Sequence, residues 1–185
     1  MSENTERETL EKLRAGDLRA FEETVLKYER AIWNHLRRLT GNMNDATDLT
    51  QDTFLKLFRN RGTVDPSLNF KNWLYRVATN TAYDFLRKKG RLPASDTSED
   101  NEENETIPPH QAYSIQEAQT TVLDVRAALE KIPPHHQAIL FLYYRDGFSY
   151  EEIAEVYEMN VNTVKTNLRR AKIALRVHLP EYEKQ

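Results

Sequence analysis

The sequence predicts an all-α protein: two small helical domains joined by a flexible acidic linker, the C-terminal domain a helix-turn-helix. Three observations predict this. Apolar residues recur every three or four positions through both halves of the chain, helix starts and stops carry capping residues, Gly or Pro, and no stretch alternates as a strand would. The divisions fall at 1–91, 92–113 and 114–185.

In the first domain, Gly16-Asp17 reads as a helix start. Phe21, Val25, Tyr28, Ile32, Leu36 and Leu39 follow as one long amphipathic stripe, stopped at Gly41. Asn44-Asp45, both good N-caps, open a second helix running to about Phe58. After a loop with Gly62 and Pro66, a third helix starts near Asn69 and ends by Gly90, with Leu74, Val77, Thr81 and Phe85 as its inner stripe. The segment from Leu92 to Tyr113 is rich in Ser, Asp, Glu, Asn and Pro. It lacks the apolar side chains that offset ordering entropy, so it reads as disordered on its own.

The second domain opens with a capping box, Ser114-x-x-Glu117, ahead of Ile115, Val122, Val125, Leu129 and Ile132. Pro133-Pro134 ends that helix, and a short apolar one runs to about Arg145 before Asp146-Gly147. A second capping box, Ser149-x-x-Glu152, starts a helix with Ile153, Ala154, Val156 and Tyr157 inward. Glu158-Met159-Asn160 then turns into a last helix with Val161, Val164, Leu168, Ala171 and Leu175 inward. This is helix-turn-helix spacing, which places the N-terminal residues of the second helix at base edges in the major groove. The turn has no glycine, so any left-handed residue must be Glu158 or Asn160, of which Asn tolerates it better.

Composition narrows the function. With no cysteine, disulfides, zinc ribbons and thiol chemistry are ruled out. The charged N-terminus is no signal peptide, and the longest apolar run, Ala138 to Tyr144, is too short to span a bilayer. A cytoplasmic protein without membrane insertion is expected. Charge is segregated: the six acids of 93–110 (Asp96, Glu99, Asp100, Glu102, Glu103, Glu105) stand without a Lys or Arg. The stretch 159–180 holds five basic residues and no acid, and 70–91 holds six basic residues against Asp84 alone. Two basic elements flank an acidic tether, as in a chain that meets nucleic acid.

Three sets of residues carry the binding chemistry. On the last helix, Asn162, Thr163, Lys165, Thr166, Asn167, Arg169, Arg170 and Lys172 face outward. Asn and Thr can read bases, and Lys and Arg can neutralise phosphate or read guanine; the alternative is a solvated basic face on an ordinary surface helix, and agreement of spacing, capping and charge favours DNA binding over it. On the third helix, Phe70, Trp73, Tyr75 and Tyr83 interleave with Lys71, Arg76, Arg87, Lys88 and Lys89. That mixture suits unpaired bases and their backbone, although Phe70 and Trp73 read equally well as core residues. On the second helix, Asp48, Gln51, Asp52 and Leu55 share the side opposite Ala46, Leu49, Thr53 and Leu57. Taken alone, that polar side reads as solvated surface.

Together these segments resemble the extracytoplasmic-function (group IV) sigma factors of bacterial RNA polymerase. Asp45-Ala46-Thr47-Asp48-Leu49-Thr50-Gln51-Asp52-Thr53-Phe54 looks like that family's D-A-E-D-L-x-Q-E-x-F core-binding segment. The run from Phe70 to Asn80 looks like its F-x-x-W-L-Y-R-I-A-x-N promoter-melting segment. Ser149-Tyr150-Glu151-Glu152-Ile153-Ala154 and Val161-Asn162-Thr163-Val164-Lys165-Thr166 look like its S-Y-E-E-I-A and V-G-T-V-K-S. Thr47 and Asp52 stand where Glu is usual, Asn162 where Gly is common and Asn167 where Arg is frequent.

The resemblance implies a non-enzymatic initiation factor without cofactor or metal. Its implied partners are core RNA polymerase, promoter DNA and an anti-sigma factor. Asp48, Gln51, Asp52 and Leu55 would dock on the polymerase. Phe70, Lys71, Trp73, Arg76, Asn80 and Arg87 would serve −10 recognition and melting. Asn162, Thr163, Lys165, Thr166, Asn167, Arg169 and Arg170 would meet the −35 duplex. The acidic tether would lie in the polymerase's RNA path. Two rivals carry less. A ligand-sensing regulator explains the helix-turn-helix but not the front-half motifs. An enzyme would need more than His135-His136, which lack a helical ligand spacing, and five scattered glycines.

Overall fold

A computed structural model describes residues 3–91 and 122–179, and every element it shows there is α-helical apart from one 3-10 turn. The acidic tether 92–113 and the Ser114–Glu117 capping box with Ile115 lie outside the described residues.

The first module holds four helices: α1 (Glu3–Arg14), α2 (Leu18–Thr40), α3 (Met43–Asn60) and α4 (Phe70–Lys88), with the 3-10 turn Arg61–Thr63 after α3. Helix α1 was not expected, because two leucines in a charged stretch give no apolar stripe. It is held by Arg7–Glu11 and Glu8–Lys12 pairs at i,i+4 and by burial of Leu10 and Leu13. Glu6 ties it to α2 by accepting from the Tyr28 hydroxyl and pairing with Lys27 at 2.8 Å.

Helix α2 starts where expected: the Asp17 carboxylate accepts from the Arg19 amide at 2.8 Å, and Gly41 closes the other end at φ 69°. The cap of α3 is Asn42, not Asn44-Asp45, since the Asn42 side chain accepts from both of those backbone amides. Asp45 is thereby freed to hold the far end of α4 through Lys89 at 2.9 Å and Arg91 at 3.5 Å.

The second module comprises α5 (Val122–Lys131), α6 (Pro134–Tyr144), α7 (Tyr150–Tyr157) and α8 (Val161–Val177). Pro134 occupies the first turn of α6, where its missing N–H costs nothing. The Ser149 capping box on α7 is formed in both directions: Ser149 Oγ accepts from the Glu152 amide at 3.1 Å, and Glu152 accepts from the Ser149 amide at 2.8 Å. Glu158, not Asn160, is the left-handed residue of the turn, at φ 53°. Asn160 is needed elsewhere, capping α8 by accepting from the Asn162 amide at 2.8 Å.

The two modules do not lie apart in this structure. Helix α4 packs against α7, α2 packs against α6, and buried side chains of both modules form one core cluster. That explains why the inner stripe of α4 differs from expectation. Leu74 and Thr81 are buried and Val77 and Phe85 half-buried, but Asn72, Tyr75, Ala78, Thr79, Ala82 and Leu86 are buried too. Tyr75 is 1% exposed with its ring 4.9 Å from that of Phe148, itself 2% exposed. Around this pair, the Arg38 guanidinium lies 3.8 Å over the Phe141 ring, and His35 packs its ring near Tyr75 and Tyr157.

His35 is fully enclosed. Thr79 donates its hydroxyl to the Tyr75 carbonyl at 2.8 Å, so it accepts from His35 Nε2 at 2.9 Å and keeps a proton on that nitrogen. Burial, helped by the nearby Arg38 charge, pulls the His35 pKa down to about 3. An unfolded histidine titrates near 6.5, so this group's contribution is intact above that pH and is lost as pH falls toward 3. The expected cost is about 2 kcal/mol at pH 5 relative to pH 7. Urea denaturation of His35→Gln, whose amide can still donate to Thr79, should show a correspondingly smaller loss between the two pH values. Equal losses in both proteins would refute a buried neutral His35.

Candidate nucleic-acid and polymerase interfaces

Helix α3 presents the expected polar face. Asp48, Gln51 and Asp52 are exposed, and Leu55 protrudes at 49% exposure, opposite the buried Ala46, Leu49, Thr53 and Leu57. A lone exposed leucine among acids and an amide makes a small apolar anchor with a charged surround. Thr47, one of the departures noted above, has a structural use: its hydroxyl accepts from Trp33 Nε1 at 3.0 Å and ties α2 to α3.

The structure separates the aromatic residues of α4 into different roles. Phe70 is 4% exposed and sits in the core, edge-on to Tyr28 with centroids 5.5 Å apart. Trp73 is half-buried and stacks on Phe70 at 5.8 Å and 26°. Phe70 thus backs Trp73, whose other face is partly exposed. Tyr75 and Tyr83 face the second module, where Tyr83 shares a hydrogen bond with His135 Nδ1 at 2.8 Å. Burial lowers the pKa of the neighbouring His136, while its bond to Asn167 works the other way.

The polar residues of α4 also divide. Asn80 and Arg87 are exposed, with Arg87 paired to Asp84 at 3.0 Å. The N-terminal half is engaged by the second module. Asn69 donates to Glu152 at 2.8 Å, Asn72 donates to Glu155 at 3.0 Å, and Arg76 pairs with Glu158 at 3.4 Å. Lys71 donates to the Asp146 carbonyl at 2.6 Å with its ammonium 3.9 Å over the Phe148 ring. Desolvation here lowers the Lys71 pKa, partly offset by the charges of Asp146 and Glu152.

On α8, Asn162, Lys165, Thr166, Arg169 and Arg170 are exposed on one continuous face, while Val164, Leu168 and Ala171 are buried beneath them. Thr163 and Asn167 are half-buried. The Asn167 amide reaches Met159 Sδ at 3.8 Å and the His136 ring, so its first task is positioning the turn. Lys172 engages Tyr144 and lies at the margin of this face. None of these residues gathers into a metal site among the described residues. No described helix is long and apolar enough to cross a membrane.

The division into platform and surface has a measurable consequence. Phe70→Ala should lower unfolding stability by about 3–5 kcal/mol, as an emptied aromatic core position does. Arg170→Ala should stay within about 0.5 kcal/mol of the parent. Chemical denaturation of the two variants distinguishes these, and a mild Phe70→Ala would remove its place in the core.

Comparison with known proteins adds to this geometry. Residues 24–92 match the family described as Sigma-70 region 2, and residues 123–175 match Sigma-70, region 4. The RNA polymerase sigma-H factor of Pseudomonas aeruginosa is 31% identical over 183 residues, covering 95% of this chain and 94% of that protein. The ECF RNA polymerase sigma-E factor of Escherichia coli is 30% identical over 185 residues, covering 95% of each. The ECF sigma factor SigE of Mycolicibacterium smegmatis is 30% identical over 166 residues, and there the match spans 64% of the relative's length. Among solved structures, the sigma factor RpoE of Bartonella quintana, in complex with the anti-sigma factor NepR, superposes with TM-score 0.64 at 25% identity. That match covers 86% of this chain and 96% of that one. CnrH, in complex with the cytosolic domain of CnrY, shares the fold at TM-score 0.66 and 22% identity, covering 95% and 97%.

Proposed function

This chain belongs to the extracytoplasmic-function sigma factors of RNA polymerase, and from that premise we propose how its surfaces divide the work of initiation. As a sigma factor it binds core RNA polymerase, directs it to promoter DNA and is not an enzyme. The exposed face of α3, with Leu55 as its apolar centre and Asp48, Gln51 and Asp52 around it, docks on the polymerase. Charge there favours encounter and register, and the leucine contributes the buried contact.

Duplex and single strand are met by different helices. The α8 face reads the −35 element as intact duplex: Arg169, Arg170 and Lys165 meet phosphate or guanine, and Asn162, Thr163 and Thr166 reach base edges. Trp73, backed by Phe70, takes a base flipped from the −10 strand, while Lys71, Arg76, Asn80 and Arg87 hold the neighbouring backbone. Extruding a base costs a few kcal/mol, and a stacking contact returns about 1–3, so opening proceeds without a nucleotide-driven motor.

The observation that carries this reading is that an exposed acidic-leucine face, a half-exposed tryptophan on an aromatic platform and a basic helix-turn-helix face occur together on one chain, each on a separate helix. Action in the cytoplasm and partnership with an anti-sigma factor complete this reading, the latter supported by the B. quintana relative's complex with the anti-sigma factor NepR. Run-off transcription with core polymerase on a promoter library tests the function. Arg170→Ala should weaken −35 duplex binding, whereas Trp73→Ala should spare that binding and reduce permanganate-detected opening by about tenfold or more. Normal opening by Trp73→Ala would remove the base-capturing role.

A further inference from the structure

Away from α4 and α8, one concave cluster of cations has no part in the roles described above. Arg14 at the end of α1, the Ala15-Gly16 turn, and Arg59, Arg61 and Gly62 at the end of α3 line a cavity of about 270 Å³. Among the described residues, none of the three guanidinium groups has a carboxylate within ion-pair distance. We propose that this cavity holds one backbone phosphate of the displaced promoter strand, close to the base taken by Trp73. The inference rests on the assignment of α4 as the strand-binding helix.

Arg61 is the fixed member of the cluster. Its guanidinium lies 4.5 Å over the Phe58 ring and donates to the Phe58 carbonyl at 2.6 Å, which uses one donor and leaves the others for a ligand. Gly16, at φ 92°, sets bare backbone beside it: a Cβ there would lie 3.6 Å from Arg61 Nε. Arg14 and Arg59 are exposed and can adjust around whatever Arg61 holds. A planar guanidinium matches phosphate oxygens in fork geometry, and one pre-oriented fork lowers the cost of ordering the site.

The plainer role for these arginines is to offset two helix C-termini, since α1 and α3 both end here. Magnitudes show that this is not their whole use. Each helix end carries roughly half an elementary negative charge. The acid within electrostatic reach of Arg14 is Asp65, whose carboxylate accepts from the Ser67 amide at 2.9 Å and the Ser67 hydroxyl at 2.7 Å. Asp17, next to Gly16, is turned to the amides that it caps on α2. Against the helix ends and Asp65, the three arginines leave an excess of about one positive charge, which matches one phosphodiester.

The cavity also lies between the two surfaces that a held strand would pass. Arg59 is one turn beyond Leu55 on α3, so the cavity adjoins the docking face. Phe70 follows Thr63 by seven residues, which puts the start of α4 within about 25 Å of the 3-10 turn. A strand stacked on Trp73 spans that distance in a few nucleotides.

The test uses holoenzyme reconstituted from core polymerase and the full chain, on a promoter with a preformed bubble. Single phosphates of the non-template strand are replaced in turn by neutral methylphosphonate. In the parent, one position within a few nucleotides of the captured base should weaken binding by about tenfold, as loss of a charge-assisted hydrogen bond does. In Arg61→Ala the same replacement should cost nothing further, while every other position keeps its effect. Arg14→Ala, at an exposed residue away from the 3-10 turn, should cut that one penalty to about threefold or less, and Arg30→Ala on α2 is the charge control.

A parent with no such position overturns the site, and so does a full penalty that persists in both Arg61→Ala and Arg14→Ala. Loss of core-polymerase affinity with every methylphosphonate effect unchanged overturns it too, because the arginines would then belong to the docking face. Trp73→Ala on the same bubble separates the two failures. Weakened binding by Trp73→Ala with no effect of the arginines rejects the cavity alone, and unimpaired binding by Trp73→Ala rejects the strand-binding assignment beneath it.

Discussion

The packing of Tyr75 on Phe148 is the constraint on which the rest of the arrangement depends. Helix α4 has apolar or small side chains around most of its circumference: Leu74, Ala78 and Ala82 on one side, Tyr75 and Thr79 toward another. A helix apolar on more than one stripe must be covered on more than one side. The first module supplies only part of that cover, and the Asp146–Phe148 turn with α7 supplies the remainder. Burying Tyr75 and Phe148 together is worth several kcal/mol of apolar transfer, more than the polar rim around them contributes.

From that packing the electrostatics follow. Once Phe148 sits on Tyr75, Asp146 is carried under Arg38, Arg145 and Lys71. Desolvation raises its pKa, while those three cations pull it back down. Helix α7 is set alongside α4, so that carboxylates oppose donors. The left-handed Glu158 belongs to the same geometry: the turn takes an unfavourable conformation at a non-glycine residue, and its carboxylate ends beside Arg76. Strain in that turn and a weak ion pair are of similar size, so neither dominates. The closed arrangement thus combines a strong apolar centre with small, exchangeable polar terms.

Much of the architecture was legible in the residues. The α2 stripe, the stops at Gly41 and Gly147, the Pro133-Pro134 break and the capping box at Ser149 are local signals, and local physics decided them. The exposed polar faces of α3 and α8 were equally visible, because an exposed polar stripe opposite a buried one needs only helical spacing. What escaped was non-local. Helix α1 has too few apolar residues to announce itself and exists through Leu10, Leu13 and Glu6 meeting α2 and the core. Asn42 rather than Asn44-Asp45 caps α3 because several adjacent candidates compete and only the chain's path from Gly41 decides. Phe70, Tyr75 and Tyr83 look alike as aromatics beside cations, and the difference between a core position in the first module and the seam with the second appears only when the second module is in place.

Through Tyr75 and Phe148 the second module is held on α4 in one fixed arrangement. Because the chain has no cysteine, Glu29→Cys and Val177→Cys can be spin-labelled together without background, both sites being exposed on different modules. Pulsed dipolar spectroscopy should give one short, narrow distance in the free chain and a broader, longer distribution when Phe148→Ala is added to it. An identical distribution in both samples, or a broad long one in the free chain, would contradict the account.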